Sequence, residues 1–517
     1  MRHDRGHRGG WPVLLIGAIL AGCTVGPDFK PAAVPEVAIT PKPLRTPGTA
    51  GGEGQRFVSG LDIPGEWWAL FGSRPLNALI ERALRDNHDL AAAQAALSIA
   101  HANVEAQRGL FFPTLEGSHN STRAKVATGD VSSPVNSPSP YYSLHTAQLT
   151  MSYAPDVFGG LRRQVESLVA QKQIQNFQLE ATYLTLTANI AQAAVQEASL
   201  RDQIRATRHI ITIQKELLQL LRSQLQLGQI AELDVATQEA ALAQAELSLV
   251  PLQKQLAITR DLLTALSGHF AGEGLAETFA FSDFKLPAQL PVSLPSEIIT
   301  RRPDIRAAEA NVHSASAQIG VAIANRLPQF SIMGNDGRQA ERFSNLFNLA
   351  PAYGFWTIAG SATQVLFDGF TLEQKQRAAE AGLDQALAQY RSTVILAFQN
   401  IADALQALEH DGRALRAATA AERAAARSLR LVREQLRLGQ VSSLQVLSAQ
   451  QTYLQALLGT VQARTGRYSD TVALFQALGG GWWNREDVAA IRTRGWLTEA
   501  LAHRYEGSAA GGPVPPD

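Results

Sequence analysis

The sequence predicts a mainly α-helical protein with a small β part, built from one long helical hairpin that occurs twice. The first observation is a repeated stretch: residues 225–235 read LQLGQIAELDV, and residues 436–446 read LRLGQVSSLQV. Each copy follows a very long helical pattern and precedes a shorter one. Gly228 and Gly439 stand where a helix C-cap glycine belongs, since only glycine enters the left-handed region without a steric penalty from Cβ. We therefore expect two hairpins whose tips lie at these glycines.

The second observation is that the repeat extends well beyond the tips. Residues 87–115 match residues 302–330 without a gap. A duplication of this length indicates that one architecture is used twice. We therefore assign residues 61–295 to the first repeat and residues 296–483 to the second.

The third observation is the set of helix lengths. Each long helix carries an apolar seam with heptad spacing, which requires packing against another helix. At 1.5 Å per residue, a medium helix and a short one stacked end to end nearly match one long helix. The predicted bounds are about 161–227 and 370–438 (long), 233–268 and 444–478 (medium), and 88–112 and 303–326 (short). The seams consist of Phe177, Ala181, Leu184, Ala188, Ala191, Val195 and Ala198, and of Leu383, Leu387, Tyr390, Val394, Ala397, Ile401, Ala404 and Leu408.

Period-two alternation predicts two strand pairs between the short and long helices. Ala147, Leu149, Met151 and Tyr153 alternate with polar residues, which is typical of a strand with one apolar face. The predicted strands cover about 114–127, 147–153, 329–339 and 354–367. Four strands cannot close a barrel across a membrane, so strands that span would require several copies of the chain; a trimer would supply twelve strands.

The N-terminus is typical of a bacterial lipoprotein. Residues 1–22 carry three arginines, a short apolar run and small residues before Cys23, which makes them a predicted signal peptide. The Leu-Ala-Gly-Cys ending resembles a lipobox, in which the cysteine is acylated; an ordinary signal peptide with a chance cysteine is the alternative. Residues 23–60 are then the lipidated N-terminus and an extended linker, and residues 484–517 a C-terminal tail.

Composition argues against several functional classes. Lysine plus arginine and aspartate plus glutamate both number 46, so no excess basic charge is present to bind nucleic acid. A single cysteine excludes an internal disulfide framework. The chain lacks a phosphate-binding glycine loop, His-Glu-x-x-His and Gly-x-Ser-x-Gly. We expect no catalytic residue, no metal site and no cofactor.

These features together resemble the outer membrane factor, or TolC-like, family. The layout, the Leu-x-Leu-Gly tips, the start LAGCTVGPDF at residues 20–29 and the cluster of Trp67, Trp68 and Phe71 carry the resemblance. Within the family the chain is most similar to NodT/OprM-type lipoproteins of RND efflux systems. The resemblance implies a homotrimer in the cell outer membrane, with a 12-stranded transmembrane β-barrel that continues into a periplasmic α-barrel.

The resemblance also implies partners and a function. Such channels meet a periplasmic adaptor protein and an inner-membrane pump, typically a proton-driven RND transporter, and contact outer membrane lipid. They pass drugs or other small molecules to the cell exterior. The alternatives are a channel for type I protein secretion and a structural periplasmic coiled-coil lipoprotein, and the exported compound and pump class stay open.

The family's functional sites fall on the tips. The resemblance assigns adaptor docking to Leu225, Leu227, Gly228, Leu436, Leu438 and Gly439. It assigns the periplasmic gate to Asp234, Leu444, Gln445 and Ser448. Relatives carry acidic residues where this chain has Gln445 and Ser448, so a hydrogen-bonded or apolar gate is favoured over an acidic one. Leu444 would form an apolar constriction; a buried leucine that only restarts the helix is the alternative.

Overall fold

The computed structural model describes residues 24–31, 54–125, 140–292, 300–347, 350 and 353–485. The predicted signal peptide, Cys23, most of the predicted linker and nearly all of the predicted tail lie outside the described residues. The described chain divides into two compact units.

Apart from β1, α1 and β4, which the sequence analysis does not include, the α-helices and β-strands follow the predicted order. They are β1 (Arg56–Ser59), α1 (Arg74–Asp86), α2 (His88–Gly109), β2 (Thr114–Lys125), β3 (Tyr141–Tyr153), α3 (Gly160–Gln226), α4 (Glu232–Leu266), β4 (Gln289–Val292), α5 (Pro303–Ala324), β5 (Gln329–Ala340), β6 (Gly354–Thr363), α6 (Thr371–Arg437) and α7 (Ser443–Ala477). The predicted long, medium and short helices are confirmed, with bounds that differ by at most three residues. The long helices α3 and α6 both have 67 residues, contain no proline and are rich in good helix formers.

Two strand bounds differ from the prediction by more than two residues. β3 begins at Tyr141 because its first residues pair with the far end of β2, an extension that side-chain alternation does not reveal. β6 ends at Thr363 because its partner strand begins there, at Gln329. Gln329 follows Pro328, which has no N–H to extend the ladder.

One unit contains residues 96–176 and 307–391, together with the N-terminal segment. Its four strands form an antiparallel sheet in the order β2-β3-β5-β6. Residues paired across neighbouring strands lie on the same face. One such row is apolar and consists of Leu115, Met151, Gly334 and Ile358; the adjacent row faces the other way, is polar and consists of Glu116, Thr150, Asn335 and Thr357. Leu115 and Ile358 are 72% and 74% exposed, so the apolar face is uncovered in the single chain.

The other unit contains residues 33–95, 177–306 and 392–517, of which the structure describes the parts given above. The heptad seams of α3 and α6 are buried here, from Leu184 to Ala198 and from Val394 to Leu408. Burial of these seams confirms that the long helices pack against their neighbours. Among the described residues, no helix combines the length and the apolar character needed to cross a membrane.

An aromatic cluster ties the N-terminal part of this unit to its last helix. Trp67, Trp68 and Phe71 lie in a short 3-10 turn and are almost fully buried. The Trp67 ring stacks on Phe475 with centroids 5.5 Å apart, and Phe71 packs against Tyr468. Beside the cluster, β1 pairs in parallel with β4, an interaction that the sequence does not predict.

A pair of carboxyl groups is enclosed between α6 and α7. Asp411 on α6 faces Gly466, where an added Cβ would lie 3.4 Å from Asp411 Oδ1, so the two helices approach closely. Burial and the neighbouring Asp470 carboxylate together raise the pKa of Asp411 to about 7, while the charge of Arg467 opposes the rise. Protonated Asp411 can donate a hydrogen bond to Asp470, which an ionised pair cannot do.

We expect the stability of this region to fall as the pH rises from about 4 to about 7. In that interval the folded chain holds the Asp411 proton while the unfolded chain releases it, so the stabilisation present at low pH is lost. Asp411→Asn mimics the protonated form and should raise Tm relative to wild type more at pH 8 than at pH 5. Thermal unfolding in detergent measures this, with Asp384→Asn, an exposed site on the same helix, as the control. An equal Tm difference at both pH values would contradict the prediction.

Candidate functional site: the paired helical tips

The first tip is a hydrogen-bonded helix end closed by glycine. α3 ends at Gln226, and Gly228 follows with a φ of 67°. The Gly228 N–H donates to the Leu225 carbonyl at 2.9 Å, and the Gln229 N–H donates to the Gln224 carbonyl at 3.0 Å. This pair of bonds is the Schellman motif, which uses the last carbonyls of the helix and turns the chain back.

The second tip has the same geometry. Gly439 follows α6 with a φ of 73°, and its N–H donates to the Leu436 carbonyl at 3.0 Å. The Gln440 N–H donates to the Gln435 carbonyl at 2.9 Å. The predicted role of both glycines as helix C-caps is therefore confirmed.

An apolar cluster holds the two tips together. Its buried members come from α3, α4 and α7, and α6 adds partly buried side chains. The buried members are Leu217, Leu218, Leu221, Val235 and Val446, and the partly buried ones are Leu225, Ile230, Leu242, Val432 and Leu436. Because both hairpins contribute, neither tip can move away from the other without exposing apolar surface.

A hydrogen bond also links the two points where the chain restarts as a helix. The Ser443 hydroxyl, on the first residue of α7, donates to Asp234 Oδ1 in the first turn of α4 at 2.8 Å. Asp234 is half-buried, and a carboxylate in the first turn also interacts favourably with the N-terminal end of its own helix. The sequence pointed to Asp234 but not to Ser443, since the contact joins residues of different repeats.

The structure divides the leucines predicted for docking into two kinds. Leu227 and Leu438 are 72% and 60% exposed and project from the tips. Leu225 and Leu436 instead pack against the apolar cluster. Leu227 and Leu438 are thus available to a partner, whereas the other two support the tip from within.

The predicted gate residues other than Asp234 are exposed. Leu444 is 63% exposed in the single chain. Gln445 and Ser448 are exposed on the same helix. Leu233 occupies the place of Leu444 in the first copy of the repeat and is 76% exposed, so the duplication could have identified it from sequence.

Ion pairs along the tips contribute little to the stability of this arrangement. Arg222 Nη2 lies 2.6 Å from Glu239 Oε1, and Lys215 Nζ lies 2.8 Å from Glu246 Oε1, both between α3 and α4. All four side chains are about half exposed, and solvent-exposed ion pairs contribute at most about 1 kcal/mol. In the described part of the chain, no group of three or more His, Cys, Asp or Glu residues could hold a metal ion.

Comparison with known proteins gives the family. The family model described as "Outer membrane efflux protein" matches residues 79–269 and 294–480. The pyoverdine export outer membrane protein OpmQ of Pseudomonas putida is 29% identical over 418 residues, which are 80% of this chain and 88% of that protein. The toluene efflux pump outer membrane protein TtgC of Pseudomonas putida is 27% identical over 473 residues, 91% of this chain and 95% of that protein.

Solved structures share the fold. The outer-membrane channel OprN superposes with a TM-score of 0.79 at 27% identity, covering 89% of this chain and 100% of that one. The open state of the MtrE outer membrane channel of Neisseria gonorrhoeae gives a TM-score of 0.77 at 25% identity, over 89% and 99% of the two chains. With a family model that covers most of the chain and full-length structural relatives, this protein belongs to the outer membrane efflux protein family.

Proposed function

We propose that three copies of this chain form a conduit through which small molecules leave the cell across the outer membrane. The chain is the outer-membrane component of an efflux system, as its family membership establishes. In the proposal, the strands of the three copies close a 12-stranded barrel in the outer membrane, and the helices form a tunnel in the periplasm. The relatives named above serve export of pyoverdine and efflux of toluene, and drugs or comparable small molecules are the proposed cargo here.

The four-stranded sheet carries this proposal. Its edge strands β2 and β6 pair with no other strand in the described part of the chain, so each leaves a row of backbone N–H and C=O groups open. Open edges are not tolerated in lipid, where unpaired backbone groups cost several kcal/mol each. Pairing of β6 from one copy with β2 from the next removes every edge. The row of Leu115, Met151, Gly334 and Ile358 suits lipid, and the adjacent row of Glu116, Thr150, Asn335 and Thr357 suits a water-filled lumen.

The tips are the proposed docking end. Leu227 and Leu438 offer exposed apolar side chains beside the glycine turns, which suits contact with the helices of a periplasmic adaptor protein. The proposed inner-membrane partner is an RND-type pump. Cargo selection would then reside mainly in the pump, and the channel itself would conduct passively. Conduction requires no reacting group, so no catalytic residue, cofactor or metal is assigned.

The proposed gate combines one polar and one apolar element. The Ser443–Asp234 hydrogen bond joins the two hairpins of one chain. In the proposal, this bond favours the closed arrangement. Leu444, exposed in the single chain, would face its counterparts in a trimer and constrict the opening. Gln445 and Ser448, also exposed, provide no charge at this place.

The proposed membrane attachment includes acylation of Cys23, which lies outside the described residues. The Leu-Ala-Gly-Cys signal supports it. A channel for type I protein secretion remains the second candidate. Family membership favours either channel over a lipoprotein with only structural duties.

The trimeric channel predicts two measurable properties. The protein purified from outer membranes should run as a trimer on a gel before heating, because barrel closure pairs every strand edge between subunits. The same material should give stepwise ionic conductance in a planar lipid bilayer. A monomer with no conductance would reject the proposal, and conductance that accompanies secretion of a protein substrate would favour the second candidate.

Loss of the Ser443 hydroxyl should favour the open channel. Ser443→Ala leaves Asp234 without its partner on α7, at a cost of about 1 kcal/mol to the closed form, or roughly a fivefold shift in the closed-to-open ratio. Single-channel recording measures the open probability. Ser442→Ala is the matched control, since the Ser442 side chain makes no capping hydrogen bond. Identical open probabilities for the two variants would show that this bond does not close the channel.

Changes at the constriction should alter conductance itself. Leu444→Ala should raise single-channel conductance by widening an apolar ring, and Ser448→Asp should raise cation over anion permeability by adding a ring of negative charge. Leu247→Ala is the control, because Leu247 is 62% exposed, like Leu444, but lies in the middle of α4. If both gate variants behave like this control, these residues do not line the aperture.

A further inference from the structure

We propose that the far end of the four-stranded sheet binds the phosphate groups of lipids in the outer leaflet of the membrane. The far end is the end away from the helices, where Lys125 of β2 pairs with Tyr141 of β3. The inference rests on the proposed function, because it requires the face that contains Leu115 and Ile358 to contact lipid. All residues of the sheet belong to one compact unit.

The basic side chains of the sheet all lie on that one face. Residues paired across neighbouring strands share a face, and so do residues two apart along a strand. The rows that continue the row of Leu115 toward the far end therefore contain every lysine, arginine and histidine among the paired residues of the four strands, while the opposite face contains none. They are His119, Arg123, Lys125, His145 and Arg338.

The rest of this face is mainly apolar, and its acidic content is low. Asp336 is the only acidic residue in its paired rows, and it lies two residues before Arg338 on the same strand. A water-filled lumen would be the expected place for charged side chains, since it solvates them. Basic residues confined to the other side of the sheet instead require a polar layer outside the barrel.

The depth of these residues agrees with the headgroup layer. Rows on one face are two residues apart, which is about 6.6 Å along a strand and about 5 Å along the membrane normal for a tilt of about 45°. The first row, near the helices, contains Phe330 and Ala362. Counted from it, the row of Arg338 lies at about 19 Å and that of Arg123 at about 28 Å, on either side of an apolar height of about 25 Å. The long stem of Arg338 lets its guanidinium reach the boundary.

Two histidines at this level are held in a fixed arrangement. Ser121 Oγ lies 2.6 Å from His145 Nδ1 and 3.2 Å from His119 Nε2. The two rings are almost parallel with centroids 6.4 Å apart, and Phe343 packs edge-on against both of them. A neutral ring that accepts the Ser121 proton carries its own proton on the other nitrogen, which can donate to a phosphate oxygen.

Exposed aromatic side chains surround the basic residues. Tyr141, Phe343 and Phe347 are 56%, 52% and 73% exposed. Phe347 packs against Phe343 with centroids 5.5 Å apart, and Lys125 Nζ lies 5.6 Å from the centroid of the Tyr141 ring. Aromatic residues are enriched where the apolar band of a barrel meets the polar layer. Their presence places the basic residues at that boundary.

The chemistry and the neighbouring rows identify a phosphate-bearing lipid as the ligand. Arginine and lysine bind phosphate through charge-assisted hydrogen bonds, and basic clusters at a membrane surface attract anionic headgroups. The row between the basic residues and Leu115 contains Leu149 and Trp356, which are 53% and 73% exposed. Acyl chains below the headgroup would cover these apolar side chains. A free phosphate ion offers the same oxygens but would leave them in contact with water.

Lipid binding to the purified full-length trimer in detergent tests the inference. Native mass spectrometry compares bisphosphorylated lipid A with dephosphorylated lipid A. We expect wild type to bind the phosphorylated form at least about tenfold more tightly, and the combined variant Arg123→Gln, Lys125→Gln and Arg338→Gln to lose most of this preference. Arg123→Gln alone, at an exposed position, should reduce it severalfold and serves if the combined variant does not assemble. Equal binding of both lipids by wild type would overturn the inference.

The matched control removes the same number of positive charges outside the sheet. Arg377→Gln, Arg413→Gln and Arg433→Gln lie on α6, and the three side chains are 64%, 59% and 46% exposed. This control should keep the wild-type preference for phosphorylated lipid A. An equal loss in both combined variants would reduce the effect to net charge and overturn the site. Complete displacement of lipid A by inorganic phosphate would assign the site to a free anion and overturn the lipid.

Ion selectivity distinguishes the lipid side from the lumen. In a planar bilayer with a salt gradient, the variant of Arg123, Lys125 and Arg338 should keep the wild-type reversal potential, because these side chains lie outside the pore. A shift toward cation selectivity would place them in the lumen and overturn the inference.

These measurements also separate the inference from the function on which it rests. Wild-type trimers that conduct ions but bind both forms of lipid A equally would reject the lipid site and leave the channel intact. If the protein forms neither trimers nor channels, the proposed function fails and the lipid site fails with it.

Discussion

The burial of two heptad seams is the constraint on which the rest of the structure depends. A single helix of 67 residues with a continuous apolar seam must cover that seam, and here the chain does so by turning back at a glycine and laying a second helix beside the first. Gly228 and Gly439 make the return possible because they adopt a left-handed conformation. The tips, the proposed gate and the proposed docking end all follow from the place of this reversal.

Duplication gives the tips a property that one hairpin would lack. Val235 and Val446 occupy equivalent places in the two repeats, and both are buried in the same apolar cluster. Asp234 and Ser443 then meet across the two copies. The polar contact of the proposed gate therefore lies within one chain. It forms because the two hairpins have different side chains, Asp234 and Ser443, where they face each other. Leu233 and Leu444 also occupy equivalent places in the two repeats, and both side chains are exposed in the single chain.

The four-stranded sheet is unfinished in the single chain, and the described N-terminal segment belongs to the same unit. The sheet leaves the edges of β2 and β6 open, which is a reason for the chain to associate with copies of itself. The segment Thr24–Phe29 is held against the start of α3 by Arg163 and by glycines that admit no side chain. The motif Gly-Pro-Asp-Phe, which contributed to the resemblance as a pattern of letters, acquires a physical explanation as a set of contacts.

The sequence by itself determined the order of the helices, the four strands of the sheet and the glycine tips, because periodicity and left-handed glycine are local properties that a repeat makes visible twice. Only the tertiary structure decided what pairs at long range. It paired β1 with β4, partly buried Leu225 and Leu436 while leaving Leu227 and Leu438 exposed, and placed Ser443 on Asp234. Neighbouring leucines of one tip look alike in sequence, and which of them is covered depends on a helix more than 200 residues away. Local pattern contains no information on that contact, since it arises only when separate helices pack.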